Sequence, residues 1–139
     1  RRVTLAAALG SRQFVKVYIL LGINEIGAYT AADWAAQYKS LLDLVREKQP
    51  DVVIFIQSIF HTTQKKSDSS YFKNEVINER NAAIAQLADG KTIFYLDLNP
   101  LFDDENGALR ADYSVDGVHV RAPYYVQWRD ELYRFGVVK

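Results

Sequence analysis

Two short stretches of this chain combine the residue types that acyl-transfer chemistry needs: Asp116-Gly117-Val118-His119 and, far upstream, Gly22-Ile23-Asn24-Glu25. A carboxylate three positions before a histidine can reach the imidazole Nδ1 across a tight turn. There it fixes the tautomer and stabilises the imidazolium that a general base becomes. Gly117 lets such a turn fold. An asparagine just past an apolar strand can donate its carboxamide N–H to a developing oxyanion, an interaction worth roughly 3 kcal/mol in a transition state. Each stretch also has a local reading, with Asp116 capping a turn beside a surface histidine and Asn24 as an ordinary turn asparagine. No nucleophile accompanies them. Ser11 precedes the first strand, Ser58 follows the second and Ser114 stands two residues before Asp116. None occupies a strand-to-helix elbow that would expose and activate its Oγ.

The other polar candidates are weaker. His61, Asp68 and Asp112 can be grouped with His119 as metal ligands, but they fall in separate loops without ligand spacing, and no metal is expected. Tyr113, Tyr124, Tyr125 and Trp128 flank the Asp116–His119 stretch. Core packing of the last helix accounts for at least two of them, leaving Tyr113 as the candidate for a substrate pocket.

The elements that must position these residues follow from hydrophobic patterning. Residues 15–21, 51–56 and 91–98 are apolar runs rich in Val, Ile and Phe with little polar alternation, as in strands covered on both faces of a parallel sheet. Helices are expected over 31–48, capped by Thr30, over 71–88, and over 123–135 with Pro123 near the first turn. A shorter helical segment opens the chain around Val3 to Leu9. Strands alternating with helices predict an α/β fold. The polar loops 61–70 and 99–115, with residues 22–27, leave the C-terminal edge of the sheet, where open α/β sheets bind ligands.

Composition narrows the function classes. The 139 residues, 49% hydrophobic, suffice for one domain with a real core. Seventeen basic residues balance seventeen acidic ones, so no global field favours nucleic acid. No apolar run approaches the roughly 20 residues of a membrane span. Cysteine is absent, which excludes thiolate chemistry and leaves the compartment open. Methionine is absent too, and the chain opens on Arg1-Arg2 directly before helical sequence, so a longer polypeptide is expected.

Taken together, the two stretches resemble the SGNH, or GDSL-type, esterase and lipase superfamily. That family carries a Gly-Asp-Ser nucleophile block, a glycine block, a Gly-x-Asn-Asp block and a closing Asp-x-x-His. Gly22-Ile23-Asn24-Glu25 matches the third block, with Glu25 in place of the usual Asp, and Asp116-Gly117-Val118-His119 matches the fourth. The first two blocks have no counterpart here. The resemblance implies a flavodoxin-like three-layer sandwich with strand order 2-1-3-4-5, of which residues 1–139 would be the C-terminal part of a single domain with strands 3–5. It implies His119 as base, Asp116 as its orienting partner, Asn24 as oxyanion donor, and Gly22, beside Tyr113, as a substrate-binding position. No cofactor is implied. The nucleophilic serine would lie upstream, on a segment of roughly 60 residues that supplies two strands and their crossovers. The expected substrates are small O-acyl esters such as acetylated carbohydrates. The alternatives are lipid or lysophospholipid esters, a catalytically silent binding module on the same scaffold, or a nucleotide binder, for which Ser67-Asp68-Ser69-Ser70 is a poor phosphate loop.

Overall fold

A computed structural model describes residues 4–135. Eight regular elements alternate along the chain: α1 (Leu5–Gly10), β1 (Lys16–Ile19), α2 (Ala31–Lys48), β2 (Val53–Gln57), α3 (Gln64–Ser69), α4 (Asn74–Ala85), β3 (Ile93–Leu96) and α5 (Tyr125–Phe135). Single 3₁₀ turns at Ile23–Glu25, Asn99–Leu101, Ala111–Tyr113 and Ala122–Tyr124 shape the loops. The strands pair in parallel in the order β1-β2-β3. This is the α/β architecture expected. Arg1, Arg2 and Val3, where the first helix was expected to begin, lie outside the described residues.

Two helical crossovers advance in one direction across the sheet, so α2 and α4 share a face and pack side by side, as right-handed connections require. On that face Val17, Ile19, Ile54 and Ile56 meet Trp34, Tyr38, Leu42 and Val45, which recur along α2 at helical spacing. Thr30 starts α2 by accepting from Asp33 N at 3.1 Å while its hydroxyl donates to Asp33 Oδ2 at 2.9 Å. The opposite face carries an aromatic ladder set by the register Tyr18↔Phe55↔Phe94, with ring centroids 4.9 and 5.6 Å apart. Trp128 and Leu132 of α5 cover Phe55 and Leu96 there, and Trp128 Nε1 donates to Gln57 Oε1 at 2.8 Å. Helices on both faces of one sheet make three layers.

The ladder ends at Tyr18. Among the described residues β1 has no neighbour on its outer side, and Tyr18, Leu20 and Leu21 are exposed there.

Several boundaries differ from expectation. The three strands are shorter than the apolar runs: β1 stops at Ile19, β2 starts at Val53 and runs on to Gln57, and β3 is trimmed at both ends. The helix expected over 71–88 is shorter, with α4 running from Asn74 to Ala85, and the expected loop 61–70 holds a helix of its own, α3, which ends at the extended Ser70. Thr63 nucleates α3 by accepting from Lys66 N at 3.3 Å, and Gln64 donates to Asp68 Oδ1 at 2.7 Å one turn on.

Candidate active site

The Asp116–His119 turn is built by its own backbone. Asp116 Oδ1 accepts from the N–H groups of Val118 and His119, each at 2.8 Å, and its Oδ2 meets His119 Nδ1 at 2.6 Å. Gly117 N donates to Ser114 Oγ at 2.9 Å, and an antiparallel bridge between Ser114 and Val120 closes the base of the turn. Gly117 is required on two grounds. Its φ is +83°, and a Cβ would lie 2.9 Å from both Thr63 Oγ1 and Lys66 Cβ. Its carbonyl accepts from Thr63 N at 2.9 Å, so the turn rests on the segment that follows β2.

Hydrogen bonds from the His119 backbone, then from its ring, hold the Asp116 carboxyl well below the usual carboxylate range. The pair itself is open to solvent, with side chains 72% and 52% exposed, so its worth is geometric more than energetic. The carboxylate fixes Nδ1 as the protonated nitrogen and leaves Nε2 as the acceptor.

His119 faces a cavity of about 190 Å³ at the C-terminal edge of the sheet. It is lined by Leu20, Leu21, Gly22 and Ile23 after β1, by Ile59 and Phe60 after β2, and by Tyr125 and Trp128 of α5. Gly22 stands at the mouth of β1 with φ +127°, and a Cβ there would lie 2.7 Å from Ile59 Cδ1 and 2.8 Å from Trp34 Cζ2. The structure thus brings Gly22 and His119 to one cavity.

Asn24 sits in the 3₁₀ turn directly after Gly22, next to the lining residue Ile23. It is exposed, and among the described residues its carboxamide makes no hydrogen bond, which leaves both N–H donors available. The turn is gripped from beneath by Arg80 of α4, which is 2% exposed. Its guanidinium donates to the carbonyls of Glu25 at 3.4 Å, Ile26 at 3.1 Å and Tyr29.

Tyr113 does not line this cavity. It stacks on Tyr124 with centroids 3.8 Å apart and packs against Phe102, and the Arg110 guanidinium lies 5.1 Å over its ring. The three serines are committed elsewhere. Ser11 Oγ donates to Ala8 O at 2.7 Å, fully buried Ser58 accepts from Leu98 N at 2.9 Å, and Ser114 braces the Asp116 turn. The residues grouped as possible metal ligands separate as well: Asp68 meets Gln64, Asp112 meets Arg110 at 3.6 Å, and His61 is buried with Asp103.

Sequence reasoning missed the scaffold under the site. Asn74, Asn78 and Asn81 form one stripe of α4 along the segment after β2. Asn81 brackets Ile59, accepting from its N–H at 2.7 Å and donating to its carbonyl at 2.9 Å, and Asn74 brackets Thr62 at 2.8 and 2.9 Å. Asn99 adds bonds to His61 N at 2.9 Å and Ile59 O at 3.0 Å. These carboxamides replace the missing sheet partner for a backbone that has left the sheet. The spacing of the three asparagines was the available signal.

No curated protein matches the chain. Among solved structures, one from Streptococcus pneumonia, provisionally named a platelet activating factor, superposes with TM-score 0.77 at 22% identity, over 86% of this chain and 58% of its own. A GDSL-like lipase from Bacteroides thetaiotaomicron gives TM-score 0.67 at 20% identity, over 87% and 61%. A carbohydrate esterase family 3 protein from Talaromyces cellulolyticus gives 0.60 at 19%, over 87% and 58%. The chain therefore spans about three fifths of the length of these structures. A family model described as GDSL-like Lipase/Acylhydrolase matches residues 2–125. With that match over most of its length and a three-stranded α/β fold shared with SGNH hydrolases, the chain belongs to the GDSL-like lipase/acylhydrolase family.

Proposed function

We propose that this chain supplies the base and oxyanion side of an SGNH-type serine ester hydrolase, with the nucleophilic serine on a further polypeptide segment paired to β1. The observation that carries the reading is the Asp116-oriented His119, set beside Gly22 over an apolar cavity at the ligand-binding edge of the sheet. In the proposed reaction His119 Nε2 takes the serine proton as Oγ attacks the ester carbonyl. Asp116 holds the ring and stabilises the imidazolium. Asn24 donates to the tetrahedral oxyanion, and His119 then passes its proton to the leaving alcohol. Water activated by His119 hydrolyses the acyl-enzyme.

The segment's place is supported by the open outer side of β1. A parallel strand there would continue the Tyr18–Phe55–Phe94 ladder, cover Leu20 and Leu21, and end beside His119. It would also meet the exposed apolar residues Tyr125 and Val126 of α5. Small O-acyl esters, including acylated carbohydrates, are the proposed substrates, in keeping with the name of the carbohydrate esterase this fold resembles.

A binding module that has kept the scaffold without the reaction is the second reading. It is favoured by one observation: Ser11, Ser58 and Ser114 all have structural tasks. Intact-mass analysis after treatment with a fluorophosphonate separates the two. The hydrolase reading expects one adduct on a segment bearing the serine, lost in His119→Ala. A full-length protein that takes no adduct is a binding module.

A further inference from the structure

Beneath the candidate site lies a second histidine–carboxylate pair, unlike the first in being buried. His61 and Asp103 side chains are 10% and 14% exposed. The Nδ1 of His61 stands 2.8 Å from Asp103 Oδ2, and its Nε2 stands 2.6 Å from Asn78 Oδ1. Nδ1 thus faces a carboxylate and Nε2 the Asn78 carboxamide oxygen, an arrangement that an imidazolium, with two N–H groups, satisfies at both nitrogens. Asp103 Oδ1 is buried with no hydrogen-bond partner among the described residues, so His61 is the group left to balance this carboxylate.

What this pair holds is the support of the candidate base. The residues after His61 make the two bonds that carry the far loops: Thr62 O accepts from Leu109 N at 3.1 Å, and Thr63 N donates to Gly117 O at 2.9 Å. His61 joins three elements at that point, through its own backbone after β2, Asn78 on α4 and Asp103 in the loop after β3.

We propose that His61 is a positioning residue of the candidate site, a buried imidazolium that locks residues 59–63 as the platform beneath the Asp116–His119 turn. Loss of its proton leaves one ring nitrogen without an N–H to give and Asp103 without a counter-charge, so the platform loosens and Gly117 shifts with it. The link to catalysis rests on the ester-hydrolase reading. There, His119 must be neutral to act as base while His61 must be charged to hold it in place. Loss of the His61 proton then closes activity on the alkaline side.

The surroundings favour the charged form. Burial opposes it, but hydrogen bonds to Asp103 and Asn78 and the charges of Asp103 and Asp97 outweigh burial and raise the His61 pKa. Asn99, which meets the His61 backbone, adds no charge. A raised pKa makes the stabilisation fully present below the ordinary histidine value of about 6.5 and removes it as pH rises through the higher folded value.

The test reads the two histidines of this chain. Imidazole ¹⁵N spectra of the full-length protein are recorded from pH 5 to 9, and the His61 and His119 signals are assigned with His61→Gln and His119→Gln. At pH 7.5 an ordinary histidine is about nine-tenths neutral. The expected result is an imidazolium signature for His61 at that pH, and movement of the Thr63 and Gly117 amide signals together with its deprotonation. Asp103→Asn should bring the transition to lower pH and move the same amides. A neutral His61 tautomer at pH 7.5, or Thr63 and Gly117 signals indifferent to its titration, overturns the proposal. Because the readout is made without substrate, failure of the full-length protein to hydrolyse esters would sink the hydrolase reading and leave this result standing.

Discussion

Asp116 Oδ2 lies 2.6 Å from His119 Nδ1, and the same carboxylate's Oδ1 accepts from the His119 backbone at 2.8 Å, so one side chain fixes both the ring and the turn that presents it. Such a group acts through geometry. Asp116→Asn keeps the shape but favours the wrong imidazole tautomer, and in the full-length protein it should lower ester turnover by about 10⁴-fold. Steady-state kinetics would show the loss in kcat, with KM little changed.

The lowered pKa of Asp116 also fixes a pH sign. The hydrogen bonds from His119 favour the ionised carboxylate, so their contribution is fully present above the ordinary aspartate value of about 3.9. It is lost only as pH falls below that, through the depressed folded value. The Asp116 carboxyl ¹³C signal should show no protonation step of its own from pH 7 down to pH 4 and should change only at lower pH; a carboxyl protonation step centred above pH 4 would contradict this account.

Gly22 has φ +127° and no room for a Cβ between Ile59 and Trp34. Gly22→Ala combines backbone strain with overpacking and should destabilise the fold by about 2–4 kcal/mol, read as a shift of the urea midpoint.

Arg80 is buried on three carbonyls of the loop that carries Asn24. Arg80→Met removes the donors and should cost on the order of 3 kcal/mol by leaving those carbonyls unpaired. Arg80→Lys should recover only part of this, because one ammonium cannot reproduce the fork. Urea unfolding of the two variants gives the comparison.

Tyr18 ends the aromatic ladder on the open side of β1. Exposed apolar edges of this kind pair with other chains. Tyr18→Lys should reduce self-association of this chain in sedimentation experiments while leaving its circular dichroism unchanged.

The sequence revealed those parts of the molecule whose interactions are local or periodic. The three strands were legible as unbroken apolar runs, and the Asp116–His119 turn because its partners are three residues apart. α3 was not, since Gln64–Ser69 has no apolar stripe and depends on the Thr63 cap and a Gln64–Asp68 contact. Tyr113 has the composition of a pocket residue, yet stacking on Tyr124 turns it into packing. The His61–Asp103 pair joins residues 42 positions apart, a separation that no local spacing encodes.

Ester hydrolysis by the full-length protein, compared between the wild type and His119→Ala, tests the central claim most directly. With p-nitrophenyl acetate as substrate, the proposed role of His119 predicts a fall in kcat/KM of several orders of magnitude with an unchanged fold. Equal rates in the two proteins would contradict it.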